Sequence, residues 1–132
     1  MMVGIGIDAV SVVRFADWHR LPMASLQRLF RPDEITYCLA SERLSAQRFA
    51  ARFAAREAFF KALSDTGQLP FLTICRAVEV VREASGAPSL RVDWQLLARH
   101  NPRYRTWQPR ILISLTHTAT DAIACVALYE SI

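Results

Sequence analysis

The first residues of the chain alternate between apolar side chains and glycine, a pattern that predicts a β-strand from Met2 to Ile7. One face of this strand carries Val3, Ile5 and Ile7, and the other carries Gly4, Gly6 and Asp8. Glycine weakens a strand, so two glycines on one face indicate close approach by a helix, another backbone or a ligand. We therefore expect the glycine face to pack against another element, with the carboxylate of Asp8 at its end.

The strongest helical signal covers Ser45 to Leu63, a segment without glycine or proline. An apolar stripe runs along one side of this helix, made of Phe49, Phe53, Phe60 and Leu63. Alanines cover most of the remaining surface: Ala50, Ala51, Ala54, Ala55, Ala58 and Ala62. The pattern predicts a central helix that other backbones can approach on several sides. Glu57 and Lys61 lie one turn apart at the border of the stripe, where an ion pair along the helix is the simplest interpretation.

Shorter helices are predicted on the N-terminal side of this central helix. Ser11 is a candidate cap for the first of them, and another covers Ser25 to Phe30. Pro32 starts a third helix, which runs to about Ala40, because proline loses no hydrogen bond at a helix start. After the central helix, Ser64 to Pro70 is predicted to be a loop.

The second half of the chain is predicted to form strands and one short helix. The strand segments are Thr73 to Glu83, Ser89 to Val92, Arg110 to Thr116 and Ala122 to Tyr129. Intervening turns join them into two hairpins, and Asp93 can cap a helix over Trp94 to His100. One strand, then helices, then hairpins is typical of an α+β fold with a mainly antiparallel sheet packed on the long central helix.

The chain has 132 residues, which favours a single domain over residues 1–132. With 52% hydrophobic and 21% charged residues, its composition is far from that of disordered chains. Cys38, Cys75 and Cys125 are odd in number, widely spaced and set in apolar segments, so we expect buried free thiols. The first strand has no basic leader, and no window approaches about 18 uninterrupted apolar residues. We therefore expect a cytoplasmic protein that does not enter a membrane.

Sixteen basic against twelve acidic residues give a formal charge of +4, which is compatible with an anionic partner. Fifteen of the basic residues are arginine, and Lys61 is the single lysine. A GC-rich genome explains the excess of arginine but leaves the retained lysine to be explained. The arginines are spread from Arg14 to Arg110 with acids between them, which argues against a stripe that binds nucleic acid.

Polar residues occupy three places where the pattern expects apolar ones. They are Asp8 at the end of the first strand, Glu57 and Lys61 on the alanine-clad helix, and Ser114, Thr116 and His117 at the end of a later strand. If the first strand packs on the long helix, Asp8 and Glu57 converge and repel unless a cation or proton lies between them. Such oxygen ligands suit Mg²⁺ with substrate phosphates, to which Lys61 would add a compact positive charge. Taken singly, Asp8 also fits a turn or cap, and His117 fits a hairpin residue satisfied by backbone.

Four segments together resemble one known family. They are GIGIDAV (Gly4 to Val10), RFAAREAFFKAL (Arg52 to Leu63), the GAP turn (Gly86 to Pro88) and SLTHT (Ser114 to Thr118). In order and spacing they are similar to the holo-acyl-carrier-protein synthases, which are 4'-phosphopantetheinyl transferases. The resemblance implies a Mg²⁺-dependent reaction of fatty acid biosynthesis. In it, a serine hydroxyl of apo acyl carrier protein attacks the β-phosphate of coenzyme A, the carrier gains phosphopantetheine, and 3',5'-ADP leaves.

The resemblance also implies roles for individual residues. Asp8 and Glu57 correspond to the Mg²⁺ ligands, and Lys61 to the residue that stabilises the phosphoryl group or the leaving phosphate. The implied contacts to coenzyme A are Ser114, Thr116, His117 and, for its phosphates, Arg52. The acceptor of the serine proton stays open between Glu57 and a water held by the metal.

The family further implies a homotrimer with active sites between subunits, which would also account for a central helix that is apolar on several sides. Its first helix docks the acidic recognition helix of the carrier, and Arg14 and Arg20 match that role. Two alternatives remain: the same chemistry on a polyketide or peptide-synthetase carrier, and a basic binding module without catalysis. The short chain favours the fatty-acid type.

Three features depart from the family pattern. Arg56 stands where lysine is usual and falls on the aromatic stripe, so its burial would require a partner. The loop Ser64 to Gln68 has fewer glycines and gains an acid, and Ala87 replaces the lysine of the turn that is often GKP. These changes put the contacts of coenzyme A with this loop and this turn in doubt. The metal ligands and Lys61 are intact, so we expect an active enzyme.

Overall fold

The computed structural model describes residues 1–65, 67 and 69–131 of the chain. Its strands are β1 (Met2–Ser11), β2 (Val78–Arg82), β3 (Pro88–Val92), β4 (Arg110–His117) and β5 (Asp121–Tyr129). Its α-helices are α1 (Met23–Leu29), α2 (Pro32–Leu39), α3 (Ser45–Leu63), α4 (Phe71–Ala77) and α5 (Trp94–His100). Short 3-10 helices cover Val12–Phe15, Trp18–Arg20 and Pro102–Arg105.

Strands β1, β5 and β4 form an antiparallel sheet with β5 in the centre, and β2 and β3 form a separate antiparallel hairpin. The 19-residue helix α3 packs on the inner face of the larger sheet, where it contacts β1 and β5. The inner positions of β5 are fully buried: Ala122, Ala124, Val126 and Leu128. The predicted α+β fold, a mainly antiparallel sheet on a long central helix, is confirmed.

The glycine face of β1 is the surface that lets α3 approach. A Cβ atom at Gly6 would overlap the carbonyl oxygen of Ala58 and lie 2.8 Å from the backbone nitrogen of Ala62. A Cβ atom at Gly4 would overlap the carbonyl oxygen of Ala62. Backbone therefore meets backbone here, as the glycine and alanine patterns predicted. This close approach sets the position of Asp8, two residues further along the same face.

Most of α3 is buried by its own chain. Twelve of its nineteen residues are buried, and its aromatic side contacts the 3-10 helices. Phe53, for example, lies with its ring centroid 5.5 Å from that of Phe15, and Phe49 lies 6.2 Å from Trp18. The alanine-clad surface is thus accounted for within one chain and needs no neighbouring subunit to cover it. None of the helices in the described ranges is both long and apolar enough to cross a membrane.

The segment before β2 differs from the predicted strand over Thr73 to Glu83. Helix α4 occupies its first part, and the strand begins only at Val78. Pro70 precedes this helix, and Ile74 and Ala77, three residues apart, are both buried. The prediction was wrong because β-branched residues suggested a strand where the burial follows a helical period.

Strand β1 extends beyond its predicted end to Ser11, because it pairs with β5 as far as Asp121. Ser11 precedes the 3-10 helix Val12–Phe15, but its side chain makes no capping hydrogen bond, so that predicted cap was wrong. The other predicted cap is confirmed, because Asp93 accepts a hydrogen bond from the backbone N–H of Leu96 at 3.1 Å.

Arg56 is fully buried and has the partner that its position required. Its guanidinium pairs with Glu34 of α2, with Nη2 to Oε1 at 2.5 Å and Nη1 to Oε2 at 2.9 Å. It also donates to the carbonyl oxygens of Cys75 and Val78. Glu34 accepts two further hydrogen bonds from backbone N–H groups. The pair therefore joins α2, α3, α4 and β2 inside the core.

Asp65 anchors the loop that follows α3. Its Oδ2 accepts hydrogen bonds from the hydroxyl of Tyr104 at 2.7 Å and from Nδ2 of Asn101 at 3.0 Å. Burial, followed by this hydrogen bond, raises the pKa of Tyr104. The acid that departs from the family pattern is therefore a structural contact. Thr66 and Gln68 of the same loop lie outside the described residues.

The outer face of the larger sheet is largely apolar and open in the single chain. In register across β1, β5 and β4, it carries the rows Ile5, Ala127, Leu112 and Ile7, Cys125, Ser114. Ile5, Ile7 and Leu112 are 60%, 61% and 52% exposed. Cys38 and Cys75 are buried free thiols, as predicted, whereas Cys125 on this face is only half-buried.

Candidate functional site

Lys61 and Asp8 form an ion pair at the edge of the larger sheet. Nζ of Lys61 donates to Oδ1 of Asp8 and to the carbonyl oxygen of Ile7, each at 3.0 Å. The Lys61 side chain is 52% exposed, and an ammonium group has three donors, so one remains available. The ion pair of Lys61 thus runs across the fold to Asp8 rather than along the helix to Glu57.

Glu57 lies one turn before Lys61 and is half-buried. Burial first, and then the negative charge of Asp8, raise the pKa of Glu57. Lys61 and Arg14 act in the opposite direction, because positive charges favour the ionised carboxylate. The structure therefore brings Asp8, Glu57 and Lys61 together, as the sequence predicted. We refer to these three residues as the carboxylate–lysine cluster.

The carboxylate–lysine cluster fits a divalent cation held by oxygen atoms. Oδ2 of Asp8 is buried and has no hydrogen-bond partner among the described residues, which is unusual for a buried polar atom. Glu57 adds a second carboxylate whose charge is disfavoured by its surroundings. Mg²⁺ takes one or two carboxylates from protein when waters and substrate phosphates complete its shell. The described part of the chain has no group of three or more His, Cys, Asp or Glu side chains that could cage a metal alone.

Arg14 lies beside the carboxylate–lysine cluster. Its guanidinium carbon is 4.9 Å from the ring centroid of Phe53, and its charge lowers the pKa of Glu57. Its neighbour Val13 is 77% exposed. Arg20 is exposed at the end of the next 3-10 helix. The two arginines predicted to dock a carrier therefore lie on one short segment with an exposed apolar side chain, and Arg14 of this segment is close enough to the cluster to act on Glu57.

His117 lies at a different cavity, of about 350 Å³, which we call the arginine cavity. Its Nδ1 is 2.6 Å from Nε2 of Gln47, whose amide is the donor. Helices α2 and α3, the β2–β3 hairpin and the end of β4 form the walls. The lining includes Tyr37, Arg48, Arg52, Arg82, Gly86 and Pro88. The described lining residues include no carboxylate, so the cavity suits an anion.

Arg52, which the family resemblance assigns to phosphates, lies deep in the wall of the arginine cavity and is 6% exposed. Its Nη1 donates to the carbonyl oxygen of Arg48 at 3.3 Å, and its guanidinium carbon lies 4.5 Å from the ring centroid of Tyr37. Its Nε is buried without a hydrogen-bond partner among the described residues. Burial lowers the pKa of Arg52, because desolvation disfavours the charged form.

Ser114 and Thr116 face the other side of the sheet. Both are exposed, and in the β4–β5 register they pair with Cys125 and Ile123, the outward positions of β5. Their side chains therefore belong to the open apolar face, apart from both the arginine cavity and the carboxylate–lysine cluster.

Helix α3 separates the arginine cavity from the carboxylate–lysine cluster. Arg48 and Glu57 are nine residues apart, which is about 900° of helical rotation and places them on opposite sides of the helix. β1 and β4 are likewise the two outer strands of the sheet, about 10 Å apart across β5. The sequence pattern suggested that His117 lies at the edge of one pocket with Asp8. Within one chain, the structure does not bring these two residues together.

The arginine cavity is not visible in the sequence as a group. Tyr37 and Arg82 come from elements other than α3, and each fits its local pattern as an ordinary surface residue. The available signal is the spacing of Arg48 and Arg52, two cations at i and i+4 on a helix that is otherwise rich in alanine.

The sequence of the chain matches a known protein family and named relatives. Residues 4–125 match the 4'-phosphopantetheinyl transferase superfamily, a range that includes all four motif segments. The protein named holo-[acyl-carrier-protein] synthase from Anaeromyxobacter sp. (strain K) is 40% identical over 132 residues. That similarity covers 97% of this chain and 96% of the relative.

Solved structures show the same similarity over the full length. The acyl carrier protein synthase of Mycobacterium tuberculosis is 32% identical, with a TM-score of 0.69 over 99% of this chain and 100% of that one. The holo-(acyl-carrier-protein) synthase of Bacillus anthracis str. Ames, solved in complex with CoA (3',5'-ADP), is 26% identical. Its TM-score is 0.72 over 99% of both chains.

Proposed function

The chain belongs to the 4'-phosphopantetheinyl transferase superfamily and, within it, to the holo-acyl-carrier-protein synthases, and we propose that it transfers phosphopantetheine from coenzyme A to acyl carrier protein. The acceptor is a serine of the apo carrier, the metal is Mg²⁺, and the reaction supports fatty acid biosynthesis in the cytoplasm. The observation that carries this proposal is the carboxylate–lysine cluster. It combines an unpaired buried carboxylate oxygen of Asp8 with an exposed lysine donor.

The reaction makes one bond and breaks one bond at the β-phosphorus of coenzyme A. The serine oxygen forms a new P–O bond, and the bond from this phosphorus to the oxygen that bridges to the α-phosphate breaks. 3',5'-ADP leaves with the electron pair, and the serine proton passes to a base. Negative charge grows on the departing phosphate, so positive groups placed there accelerate the transfer.

Asp8 and Glu57 would hold the Mg²⁺ ion. When bound, this ion neutralises charge on the pyrophosphate and on the departing phosphate. Asp8 would contribute Oδ2, because its Oδ1 already accepts from Lys61. Burial and repulsion by Asp8 raise the pKa of Glu57. A cation between the two carboxylates would offset both effects, because it favours the ionised form of Glu57.

Lys61 would bind a phosphate oxygen directly. Its Nζ is positioned by Oδ1 of Asp8 and the carbonyl oxygen of Ile7, which leaves one N–H for the substrate. A compact ammonium group can serve all three acceptors from one atom, whereas the planar guanidinium of arginine directs its donors in a fixed fork.

Coenzyme A would be shared between two subunits. Arg52 and His117 line the arginine cavity, on the other side of α3 from the carboxylate–lysine cluster. A helix with its side chains is about 10–12 Å across. Within one chain, a single ligand would therefore have to pass around α3 to reach both the cavity and the cluster. We propose that the carboxylate–lysine cluster of one subunit meets the arginine cavity of the next in a homotrimer. Ser114 and Thr116, on the open sheet face, would contact coenzyme A at this boundary. The number of subunits follows the family resemblance.

Arg14 and Arg20 would dock the acidic recognition helix of the carrier. Both are cations on the same short segment, and the exposed Val13 offers an apolar contact between the partners. Because Arg14 acts on the charge of Glu57, a carrier bound at Arg14 would bring its serine close to the carboxylate–lysine cluster.

Mass spectrometry of apo acyl carrier protein after incubation with coenzyme A and Mg²⁺ tests the proposal. We expect the carrier to gain the mass of one phosphopantetheine group only when both coenzyme A and Mg²⁺ are present. An unmodified carrier, together with salt-sensitive binding that ignores Mg²⁺ and coenzyme A, would instead support a basic binding module. A panel of fatty-acid, polyketide and peptide-synthetase carriers determines which carrier class is preferred.

A further inference from the structure

The last turn of α3 carries Lys61, and the residue that follows this turn has an unusual backbone conformation. Ser64 has φ 50° and ψ 39°, and in the described part of the chain it is the only non-glycine residue with a positive φ. Its backbone N–H and its hydroxyl both donate to the carbonyl oxygen of Lys61, at 3.1 and 3.3 Å. A left-handed conformation is unfavourable for a residue with a side chain, so it persists only where the surrounding structure holds it. The contacts that hold Ser64 therefore also act on the turn that carries Lys61.

Asp65, the next residue, ties this turn to another part of the core. Its Oδ2 accepts hydrogen bonds from the hydroxyl of Tyr104 at 2.7 Å and from Nδ2 of Asn101 at 3.0 Å. Both donors belong to the 3-10 helix Pro102–Arg105 and its N-cap. Tyr104 is fully buried, and its ring centroid lies 6.0 Å from that of Trp94. One carboxylate oxygen thus fixes the end of α3 to a packed aromatic side chain. We call Asp65, Asn101 and Tyr104 the Asp65 latch.

Lys61 needs such support because its own side chain is flexible and half exposed. Its Nζ reaches Oδ1 of Asp8 and the carbonyl oxygen of Ile7, each at 3.0 Å, only while the last turn of α3 stays in place beside β1. Ala62 and Leu63 of the same turn are buried. Loss of the Asp65 latch would therefore displace or loosen the turn without unfolding the helix.

We propose that Asp65 is a positioning residue for Lys61. Through Ser64 it holds the end of α3, so that the ammonium group stays at Asp8 and directs its remaining N–H to the phosphoryl group. The inference rests on the proposed function, which gives Lys61 its contact with a phosphate. The acid by which this loop departs from the family pattern then serves the transfer reaction as well as the stability of the fold.

The single lysine of the chain makes its positioning directly measurable. Growth on carbon-13 lysine labels Lys61 alone, so nuclear magnetic resonance relaxation at Cε reports the mobility of this one side chain in the whole protein, without substrate. We expect an ordered Cε in the wild type and a clearly lower order parameter in Asp65→Ala. Asp65→Asn should keep the wild-type value, because an amide oxygen can still accept from both Tyr104 and Asn101. Equal order parameters in the wild type and Asp65→Ala would overturn the proposal.

Steady-state kinetics test the consequence for transfer. Asp65→Ala should lower kcat about tenfold, because even a small misplacement of a catalytic group is costly, and should change the KM for coenzyme A less than about twofold. Asp65→Asn should recover most of the lost kcat, and Tyr104→Phe, which removes one of the two donors, should give an intermediate loss. Glu42→Ala removes an exposed acid just before the other end of α3 and should change neither constant.

A double-variant cycle assigns the effect to Lys61. In a Lys61→Ala background, Asp65→Ala should reduce the residual transfer less than about twofold, because the group that it positions is gone. Mass spectrometry with enzyme in excess over carrier measures this slow transfer, and thermal melting shows that each variant is folded at the assay temperature. A further tenfold loss in this background, or a folded Asp65→Ala with wild-type kcat, would mean that Asp65 does not act through Lys61, and the proposal would be wrong.

The Asp65 latch and the proposed function fail in different ways. If the carrier is modified but Lys61 is equally ordered with and without the carboxylate of Asp65, only the positioning role is wrong. If no carrier is modified but the order of Lys61 still depends on Asp65, the positioning stands and the proposed function is wrong.

Discussion

Nζ of Lys61 lies 3.0 Å from Oδ1 of Asp8. This contact ties the single lysine of the chain to its first strand, at the glycine-lined surface where β1 and α3 approach most closely. Fifteen other basic positions are arginine, so a requirement for charge alone would be met by arginine here as well. In the proposed function, a requirement for one compact donor atom shared between the carboxylate of Asp8 and a phosphate would account for the lysine.

Lys61→Arg should keep the charge but lower kcat for phosphopantetheine transfer roughly 100-fold, the scale seen when a donor to a developing negative charge is lost. Its planar group cannot donate from one atom to Asp8, to the carbonyl oxygen of Ile7 and to a phosphate. Steady-state transfer assays measure the loss, with circular dichroism as the check on folding. Arg99→Lys, a matched exchange on exposed α5, should leave kcat unchanged. Wild-type turnover by Lys61→Arg would mean that the lone lysine is an accident of composition.

Asp8→Ala and Glu57→Ala should each abolish transfer while the protein stays folded. Each variant removes one of the two carboxylates that would hold Mg²⁺, and calorimetric titration of Mg²⁺ in the presence of coenzyme A should show the loss of binding directly. Glu57→Ala should leave the metal-free protein as stable as the wild type or slightly more stable, because it removes a charge that burial and Asp8 disfavour. Glu42→Gln alters an exposed acid elsewhere and serves as the control. Wild-type rates with excess Mg²⁺ in either alanine variant would refute the metal assignment.

Gly6→Ala should destabilise the protein by about 1–3 kcal/mol or more, although it adds only one methyl group. The new Cβ would overlap the carbonyl oxygen of Ala58, and neither backbone can move without disturbing the sheet or α3. Urea unfolding measures the change in the free energy of unfolding. Ala84→Val, at an exposed position in the turn between β2 and β3, is the control and should cost little. An unchanged midpoint for Gly6→Ala would contradict the close approach of β1 and α3.

Arg56→Met should cost about 3–5 kcal/mol in the free energy of unfolding, because it leaves the carboxylate of Glu34 buried without its partner. Replacing both residues, as in Arg56→Met with Glu34→Leu, should recover part of this loss, since no unpaired charge remains. Arg91→Met breaks the exposed pair with Glu79 and should cost at most about 1 kcal/mol. A double variant less stable than Arg56→Met would show that hydrogen bonds of Glu34 to the backbone, and not its charge, dominate.

The packing of β1 on α3 could be predicted from the sequence because both partners carry a local signature. Glycines at positions 4 and 6 leave room on the strand, and Ala58 and Ala62 leave room on the helix. Asp8 lies at the end of that surface, so its proximity to Glu57 and Lys61 of α3 followed from the same pattern. Local sequence patterns can thus predict a contact between residues that are far apart in the chain, provided that both contacting segments carry a recognisable pattern.

The arginine cavity and α4 could not be predicted because the contacts that form them produce no recognisable pattern in the local sequence. The hydrogen bond from Arg82 to Tyr37 joins residues 45 positions apart, and each is an ordinary residue in its own element. In α4, Phe71 packs on Phe53 and Phe60, with ring centroids 5.7 Å apart in both cases. Tertiary packing of this kind overrides the strand preference of β-branched residues.

The open face of the larger sheet carries a prediction about assembly. Leu112 is 52% exposed in the single chain, and in the proposed homotrimer this face is covered. Leu112→Glu should therefore convert the oligomer to monomers in size-exclusion chromatography with light scattering, and transfer should fall because the shared site is lost. Leu72→Glu changes an exposed leucine of α4, away from the sheet, and should preserve the oligomer.

Cys125 allows the same face to be probed without a charged substitution nearby. It lies between Ile7 and Ser114 in the register of the sheet, so a neighbouring subunit on this face would shield it from thiol reagents. We expect slow modification of Cys125 in the wild type and fast modification in Leu112→Glu. Cys38 should stay unmodified in both, because burial raises its pKa to about 12 and keeps the reactive thiolate scarce. A monomeric wild type with rapidly modified Cys125 would contradict the shared site, and the arginine cavity would then have to bind its ligand within one chain.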